Sequence, residues 1–244
     1  MPPSRSSTCR FAIPVLHDVS FTARPGQVTA IVGSTGCGKS TLLNLIPRFY
    51  DATGGTVSIG GVDVRRMQPA ELRAMLGYVP QKGVLFTGDI LSNLEFAGDV
   101  SEADAIRAAA PAQAEDFIWS RPQHFLTPVA QGGSNVSGGQ RQRLSIARAI
   151  AKHPQVYLFD DSFSALDYQT DAALRQALAK QTHDATVLIV AQRLSTILHA
   201  DQILVLDGGR IVGCGTHSDL LRSCETYREI ALSQLSAAEL GQEG

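Results

Sequence analysis

The run Gly33-Ser34-Thr35-Gly36-Cys37-Gly38-Lys39-Ser40-Thr41 constrains the fold more tightly than any other feature of this chain. It follows a β-rich run, Gln27-Val28-Thr29-Ala30-Ile31-Val32, and leads into a helical period from about Lys39. Strand, glycine-spaced loop and helix in that order match the G-x-x-x-x-G-K-[ST] phosphate loop. The glycines let consecutive backbone N–H groups turn inward around a β-phosphate. Lys39 adds a charge between the β- and γ-phosphates, and the Ser40 hydroxyl is placed to bind Mg2+. Cys37 reads as a spectator at a variable position of the loop. Pro47 is expected to end the helix near Ile46, because proline disfavours helix at the residue before it.

Downstream, Ser137-Gly138-Gly139-Gln140 opens a second helix, with Leu144, Ala147, Ile150 and Ala151 as its apolar stripe and Arg141, Arg143 and Arg148 mostly off it. The serine caps the helix locally, and the N–H groups of that end can also face an anion. Twenty-three positions after Ser137, the buried-strand run Val156-Tyr157-Leu158-Phe159 ends in Asp160-Asp161. A carboxylate at such a strand end needs a cation or hydrogen bonds, and a metal held through water supplies one.

Further apolar runs at 186–191 and 203–206 alternate with helical segments, which argues for a mostly parallel sheet. Thr56 to Gly61 reads as a strand and turn, and residues 11–32 as short β-rich pieces. Residues 89–126 are helical in period, with Pro111 and Pro122 as interruptions. The helical stretch 89–150 therefore reads as a subdomain inserted into one α/β domain spanning 1–244, with residues 1–10 as a frayed tail. The stretch Ser218 to Leu240 reads as helix packed on its own domain.

Composition excludes several alternatives. Net charge is −2, so no basic footprint points to nucleic acid. No apolar stretch approaches the ~18 residues that span a bilayer. The four cysteines, Cys9, Cys37, Cys214 and Cys224, have no metal-ligand spacing and no disulfide framework, and read as reduced thiols.

The extended run Asn135-Val136-Ser137-Gly138-Gly139-Gln140-Arg141-Gln142-Arg143, continued by Leu-Ser-Ile-Ala-Arg-Ala, resembles the signature of ATP-binding cassettes of ABC transporters at nearly every position. The resemblance covers about Val15 to Ile230. It implies an α/β fold: a P-loop NTPase core with a mostly parallel sheet, an N-terminal antiparallel β part and the inserted helical subdomain. It implies ATP and Mg2+ as ligands, with Gly33 to Thr41 on the phosphates and Ser40, Asp160 and Gln81 toward the metal. Gln81, in Tyr78-Val79-Pro80-Gln81, matches the loop glutamine that senses the γ-phosphate, and Ser164-Ala165-Leu166-Asp167 matches the segment that crosses between two sites. In that family Ser137, Gly138, Gly139 and Gln140 serve ATP held by an opposite subunit, which implies a head-to-tail dimer.

Finer stretches resemble the exporter branch: Pro80 to Ile90, Ala191-Gln192-Arg193-Leu194-Ser195-Thr196, and Gly215 to Leu221. The resemblance then implies a membrane-spanning partner domain, in the same polypeptide or a separate one. It places the cassette at the cytoplasmic face of the membrane.

Several positions depart from the family pattern. Asp161 stands where a glutamate polarises the attacking water, and Gln192 where a histidine contacts the γ-phosphate. Gln131 stands where the exporter stretch before the signature carries glutamate. With Lys39, Asp161 and Gln192 as its catalytic set, the chain resembles the weakly hydrolysing, degenerate half of a heterodimeric exporter whose second cassette is not identical. A competent homodimer, and a soluble ABC protein outside transport, are the alternatives. Against the latter, Lys39 and Ser137 are only 98 residues apart, which leaves no room for a coiled coil. Phe11 is the nearby aromatic for stacking on adenine, with packing at a strand edge as its other role.

Overall fold

The computed structural model describes residues 15–96 and 98–235. In chain order the elements are β1 (Val28–Gly33), α1 (Lys39–Leu45), β2 (Ser58–Ile59), β3 (Val62–Asp63), α2 (Pro69–Ala74) and β4 (Leu76–Val79). Then come β5 (Gly88–Asp89), α3 (Ile90–Glu95), α4 (Glu102–Arg107), α5 (Glu115–Trp119), β6 (Pro128–Val129) and α6 (Gly138–Ala151). The chain continues through β7 (Val156–Asp160), α7 (Tyr168–Gln181), β8 (Thr186–Val190), β9 (Gln202–Asp207), β10 (Arg210–Gly215), α8 (His217–Ser223) and α9 (Glu225–Gln234).

Six strands form one sheet in the order β10-β9-β1-β8-β7-β4, parallel except for β10, which runs antiparallel to β9. Each inner strand divides its side chains between two cores. Ala30, Val32, Tyr157, Phe159, Val187, Ile189, Ile203 and Val205 face one, together with Leu144, Ile146 and Ile150 of α6. Ile31, Leu158, Leu188, Val190, Leu204 and Leu206 face the other, with Leu42 and Leu43 of α1 and Leu72 of α2. A period-2 strand with both faces covered reads as a continuous apolar run, which is why β7, β8 and β9 were recognisable.

The α/β class and mostly parallel sheet are as predicted; in the N-terminal part the antiparallel pairing is the short hairpin β2–β3, and β5–β6 forms a second antiparallel pair. Residues 15–26 differ from expectation, since no strand lies among them. Leu16, Val19, Phe21 and Ala23 pack onto the second core instead, while the backbone is tied at isolated points, His17 N–H to Gly209 O and Gly26 N–H to Ala185 O. Alternating apolar residues there satisfy burial without a ladder. Helix α1 stops at Leu45 with Ile46 as its cap, just before Pro47.

Two sheet strands were not anticipated. β4 is four residues long and contains Gly77, where a Cβ would come within 2.7 Å of the Pro154 ring. β10 is an edge strand with glycines at 213 and 215 and half its residues exposed. Neither carries the apolar run that marks a strand.

α6 buries a wider face than its four-residue stripe suggested, including Gln142, Ser145, Ile146 and Ala149. Arg148 is also drawn in. It donates to Asn93 O (2.7 Å), Asn93 Oδ1 (2.9 Å) and Val84 O (2.9 Å), with its guanidinium over the Phe86 and Phe96 rings. Burial pushes its pKa down to about 10. Helices α8 and α9 pack on each other and on the sheet, with Tyr227 and Ala231 fully buried. No described helix is long and apolar enough to cross a membrane.

Candidate functional site

Sheet order assembles the site. β1, β8, β7 and β4 are consecutive neighbours and end together: Ile31 is level with Val190, Val190 with Asp160, and Val79 with Phe159. The loops after these four strands carry residues 33–41, Gln192, Asp161 and Gln81. Ligands bind at this carboxyl edge in open α/β sheets.

After β1 the chain turns through glycines at positive φ, Gly36 (84°) and Gly38 (105°), before entering α1. A side chain is strained at such φ values, so the spacing of the motif follows from backbone geometry. Lys39 is buried within this loop, and its Nζ donates to Gly33 O and Ser34 O, both at 2.8 Å. Its ammonium also lies 3.8 Å from the Cys37 sulfur. Ser40 Oγ donates to Asp160 Oδ1 at 2.8 Å, across 120 residues of sequence. Burial raises the Asp160 pKa and the Ser40 hydroxyl partly opposes it. The adjacent Tyr78 hydroxyl, which donates to Asn44 Oδ1 at 3.1 Å, is pushed up to about 12, first by burial and then by the Asp160 carboxylate.

A hydroxyl and a buried carboxylate converging on one point are hard oxygen donors, a set that suits Mg2+ with water completing its shell. Among the described residues no cluster of three or more His, Cys, Asp or Glu offers an all-protein metal cage. Such a sparse protein donor set is usual where phosphate oxygens share the ion.

Asp161 is buried and sits at φ 47°, uncommon for a residue with a side chain. Its N–H donates to Val190 O (2.9 Å), and its carboxylate accepts from Gln81 Nε2 (2.9 Å). Gln192 is exposed, on the rim of a shallow pocket that Asp161, Ser164 and Arg193 also line.

Ser137 caps α6 reciprocally with Gln140: its hydroxyl accepts from Gln140 N–H (3.2 Å), and Gln140 Oε1 accepts from Ser137 N–H (3.2 Å). Arg121 also donates to Gln140 Oε1 (3.1 Å). Gly139 lies beside Ala165 and Leu166, and Gly138 faces open space. Among the described residues no hydrogen bond joins Ser137–Gln140 to residues 33–41. The structure thus gathers Lys39, Ser40, Gln81, Asp160, Asp161 and Gln192 at one edge, while the contacts of Ser137–Gln140 are with one another, Arg121, Ala165 and Leu166. Phe11 lies outside the described residues.

The sequence reading quoted Gln142 in the signature run but missed its role. Its amide donates to Pro80 O (3.0 Å) and accepts from Gly83 N–H (2.8 Å), bracketing Gln81 from the middle of α6. A glutamine in phase with Ser145, Ile146 and Ala149 was the available signal: a polar residue on a buried face must find partners. Replacing it by leucine leaves those two backbone groups unpaired. Gln142→Leu is expected to lower unfolding free energy by about 1–3 kcal/mol, read from urea titration.

The fold and the carboxyl-edge site define a phosphate-loop nucleotide-binding protein. The sequence model of the ABC transporter family matches residues 16–164, and the chain belongs to that family. It is 49% identical over 235 residues to an uncharacterised ABC transporter ATP-binding protein of Mycobacterium bovis, covering 95% of this chain and 40% of that one. It is 46% identical over 220 residues to an ATP-dependent lipid A-core flippase of Xanthomonas oryzae pv. oryzae, covering 89% and 37%. Among solved structures, a bacterial Atm1-family ABC exporter with ATP bound superposes with TM-score 0.87 at 41% identity, over 90% of this chain and 39% of that one. The chain thus spans about two fifths of the length of these relatives. ABC ATP-binding domains are ATPases that bind ATP, generally with Mg2+.

Proposed function

We propose that this chain is the ATP-binding cassette of an exporter and the weakly hydrolysing member of an unlike pair. The observation that carries the second half is the water-facing end of the site. Asp161 is one methylene shorter than glutamate and its carboxylate is engaged by Gln81 at 2.9 Å. Hydrolysis needs the attacking water aligned to about 3–3.5 Å, and ~1 Å of misplacement costs ~100-fold. Gln192 cannot become cationic or relay a proton as an imidazole does. The phosphate loop and the signature are both intact, so binding and service to an opposite site remain.

In this reading the N–H groups of residues 34–40 and Lys39 hold the phosphates. Ser40 and Asp160 hold Mg2+, with Gln81 completing the set; the metal supplies charge neutralisation at the phosphate oxygens. Ser137 to Gln140 close on ATP bound by the other cassette. That cassette carries the hydrolytic glutamate and histidine. A transmembrane part, in the same polypeptide or another, places both at the cytoplasmic face, and that part sets the substrate. Similarity to proteins named as exporter and flippase supports transport over a soluble role. The alternative of a competent homodimer draws on Asp161 keeping a carboxylate at the end of β7.

Phosphate release at saturating Mg-ATP tests the reading. The unaltered chain is expected to turn over slowly, and Asp161→Glu with Gln192→His to raise the rate by about 10- to 100-fold when a competent signature is opposite. Brisk turnover by the unaltered chain alone establishes the homodimer instead.

A further inference from the structure

One side chain of the C-terminal helix holds the backbone on which Gln192 sits. Gln234, in the last turn of α9, donates from Nε2 to Gln192 O (2.9 Å) and accepts at Oε1 from Leu194 N–H (2.9 Å). The amide closes on the two backbone groups that flank Arg193, more than 40 residues away for the first bond. Arg193 in turn donates to Ser164 O (3.2 Å) and Leu166 O (3.4 Å), tying this segment to residues 164–167. One pocket is lined by Asp161, Ser164, Gln192 and Arg193. The clamp therefore holds the backbone of Gln192, a residue that lines the same pocket as Asp161.

α9 is fixed by its apolar face, where Tyr227 and Ala231 are buried, and by the buried Leu235 that follows it, while Gln234 is exposed. Its amide is spent on this segment.

We infer that Gln234 is a positioning residue for the segment Gln192–Leu194, which makes α9 a part of the machinery that senses the nucleotide. The inference rests on residues 191–196 being the segment that meets the γ-phosphate. Between the end of β8 at Val190 and the turn starting at Leu194, Ala191 N–H donates to Ile31 O (3.2 Å), and Gln234 holds Gln192 O and Leu194 N–H. The two-point amide contact fixes the backbone on both sides of Arg193, and the Gln192 side chain leaves from the same residue whose carbonyl is held. Displacements of ~1 Å at a reacting centre are worth ~100-fold, and an exposed clamp contending with water accounts for part of that, about three- to tenfold.

Gln234→Leu deletes both bonds while keeping a good helix former of similar size. Leu232→Ala, at a position 68% exposed on the same helix, is the control. Amide hydrogen exchange of the peptide spanning residues 190–197 is measured in the full chain, with and without Mg2+ and a non-hydrolysable ATP analogue. In the unaltered chain and the control, the analogue is expected to slow exchange in this peptide. In Gln234→Leu, basal exchange of the peptide is expected to rise and the slowing to be lost. Analogue affinity should stay within about twofold, since the contacts of residues 33–41, which carry most of the binding, are untouched. In single-turnover hydrolysis with protein in excess, the rate should fall about three- to tenfold without weaker binding. Unaltered exchange in Gln234→Leu overturns the clamp, and an intact response to the analogue overturns its role in sensing. A loss explained by weaker binding or a lower melting temperature also overturns it. The exchange and affinity readouts do not depend on the rate of the unaltered chain, so brisk turnover there corrects the heterodimer reading and leaves this one standing.

Discussion

Lys39→Ala is expected to weaken Mg-ATP binding by about two to three orders of magnitude, the largest single effect available in this chain. A unit charge about 4 Å from a phosphate charge is worth roughly 4 kcal/mol at an effective dielectric of about 20, typical near a protein surface. Lys39 is buried and held by Gly33 O and Ser34 O, so its ammonium is already confined to the loop proposed to face the phosphates. Little ordering cost remains when nucleotide arrives. Titration with a fluorescent ATP analogue reads the loss. A second variant, Lys39→Met, keeps the length of the side chain and separates charge from packing. Both variants should lose affinity alike if the charge acts, whereas retained affinity in Lys39→Met would remove Lys39 from the phosphate site.

Gly139→Asp should abolish turnover at the partner's site, by about 100-fold or more, without harming the fold of this chain. A Cβ at Gly139 would meet Ala165 O at 3.5 Å and Leu166 at 3.9 Å, which is ordinary contact. A carboxylate in the first turn of a helix is favourable for the helix itself, by about 0.3–1 kcal/mol. It also puts a negative charge where the opposite γ-phosphate is proposed to lie. That repulsion, roughly 4 kcal/mol at about 4 Å, outweighs the gain to the helix. The measurement is phosphate release from a co-purified pair of cassettes, with circular dichroism confirming that the variant is folded. Unchanged turnover would mean that residues 137–140 do not complete a site across the dimer.

Local chemistry explains what was readable beforehand. The phosphate loop was legible because its glycines, Lys39 and Ser40 act within nine residues and need a strand before and a helix after. α6 announced itself by a capping serine and an apolar period, and β7 by a run of buried residues ending in Asp160. Family resemblance added the departures at Asp161 and Gln192, which no periodicity reveals.

Pairing between distant residues lay beyond that reading. Ser40 meets Asp160 across 120 residues, Gln81 meets Asp161 across 80, and Gln234 meets Gln192 across 42. Each contact depends on the strand order β10-β9-β1-β8-β7-β4, which sets β4 and β8 on either side of β7. That order is chosen by how both faces of the sheet are covered, not by any one segment's preference. β4 was unreadable for the same reason: Leu76-Gly77-Tyr78-Val79 is too short to declare itself, and a glycine fits at 77 because Pro154, Ala149 O and Tyr157 crowd its Cβ position. The residue types able to bind a nucleotide were set by the amino-acid sequence alone. Only the tertiary packing decided which of them share an edge, and that Gln142, a member of the signature run with no role read for it, and Gln234, which no motif marks, hold the two loops that carry Gln81 and Gln192.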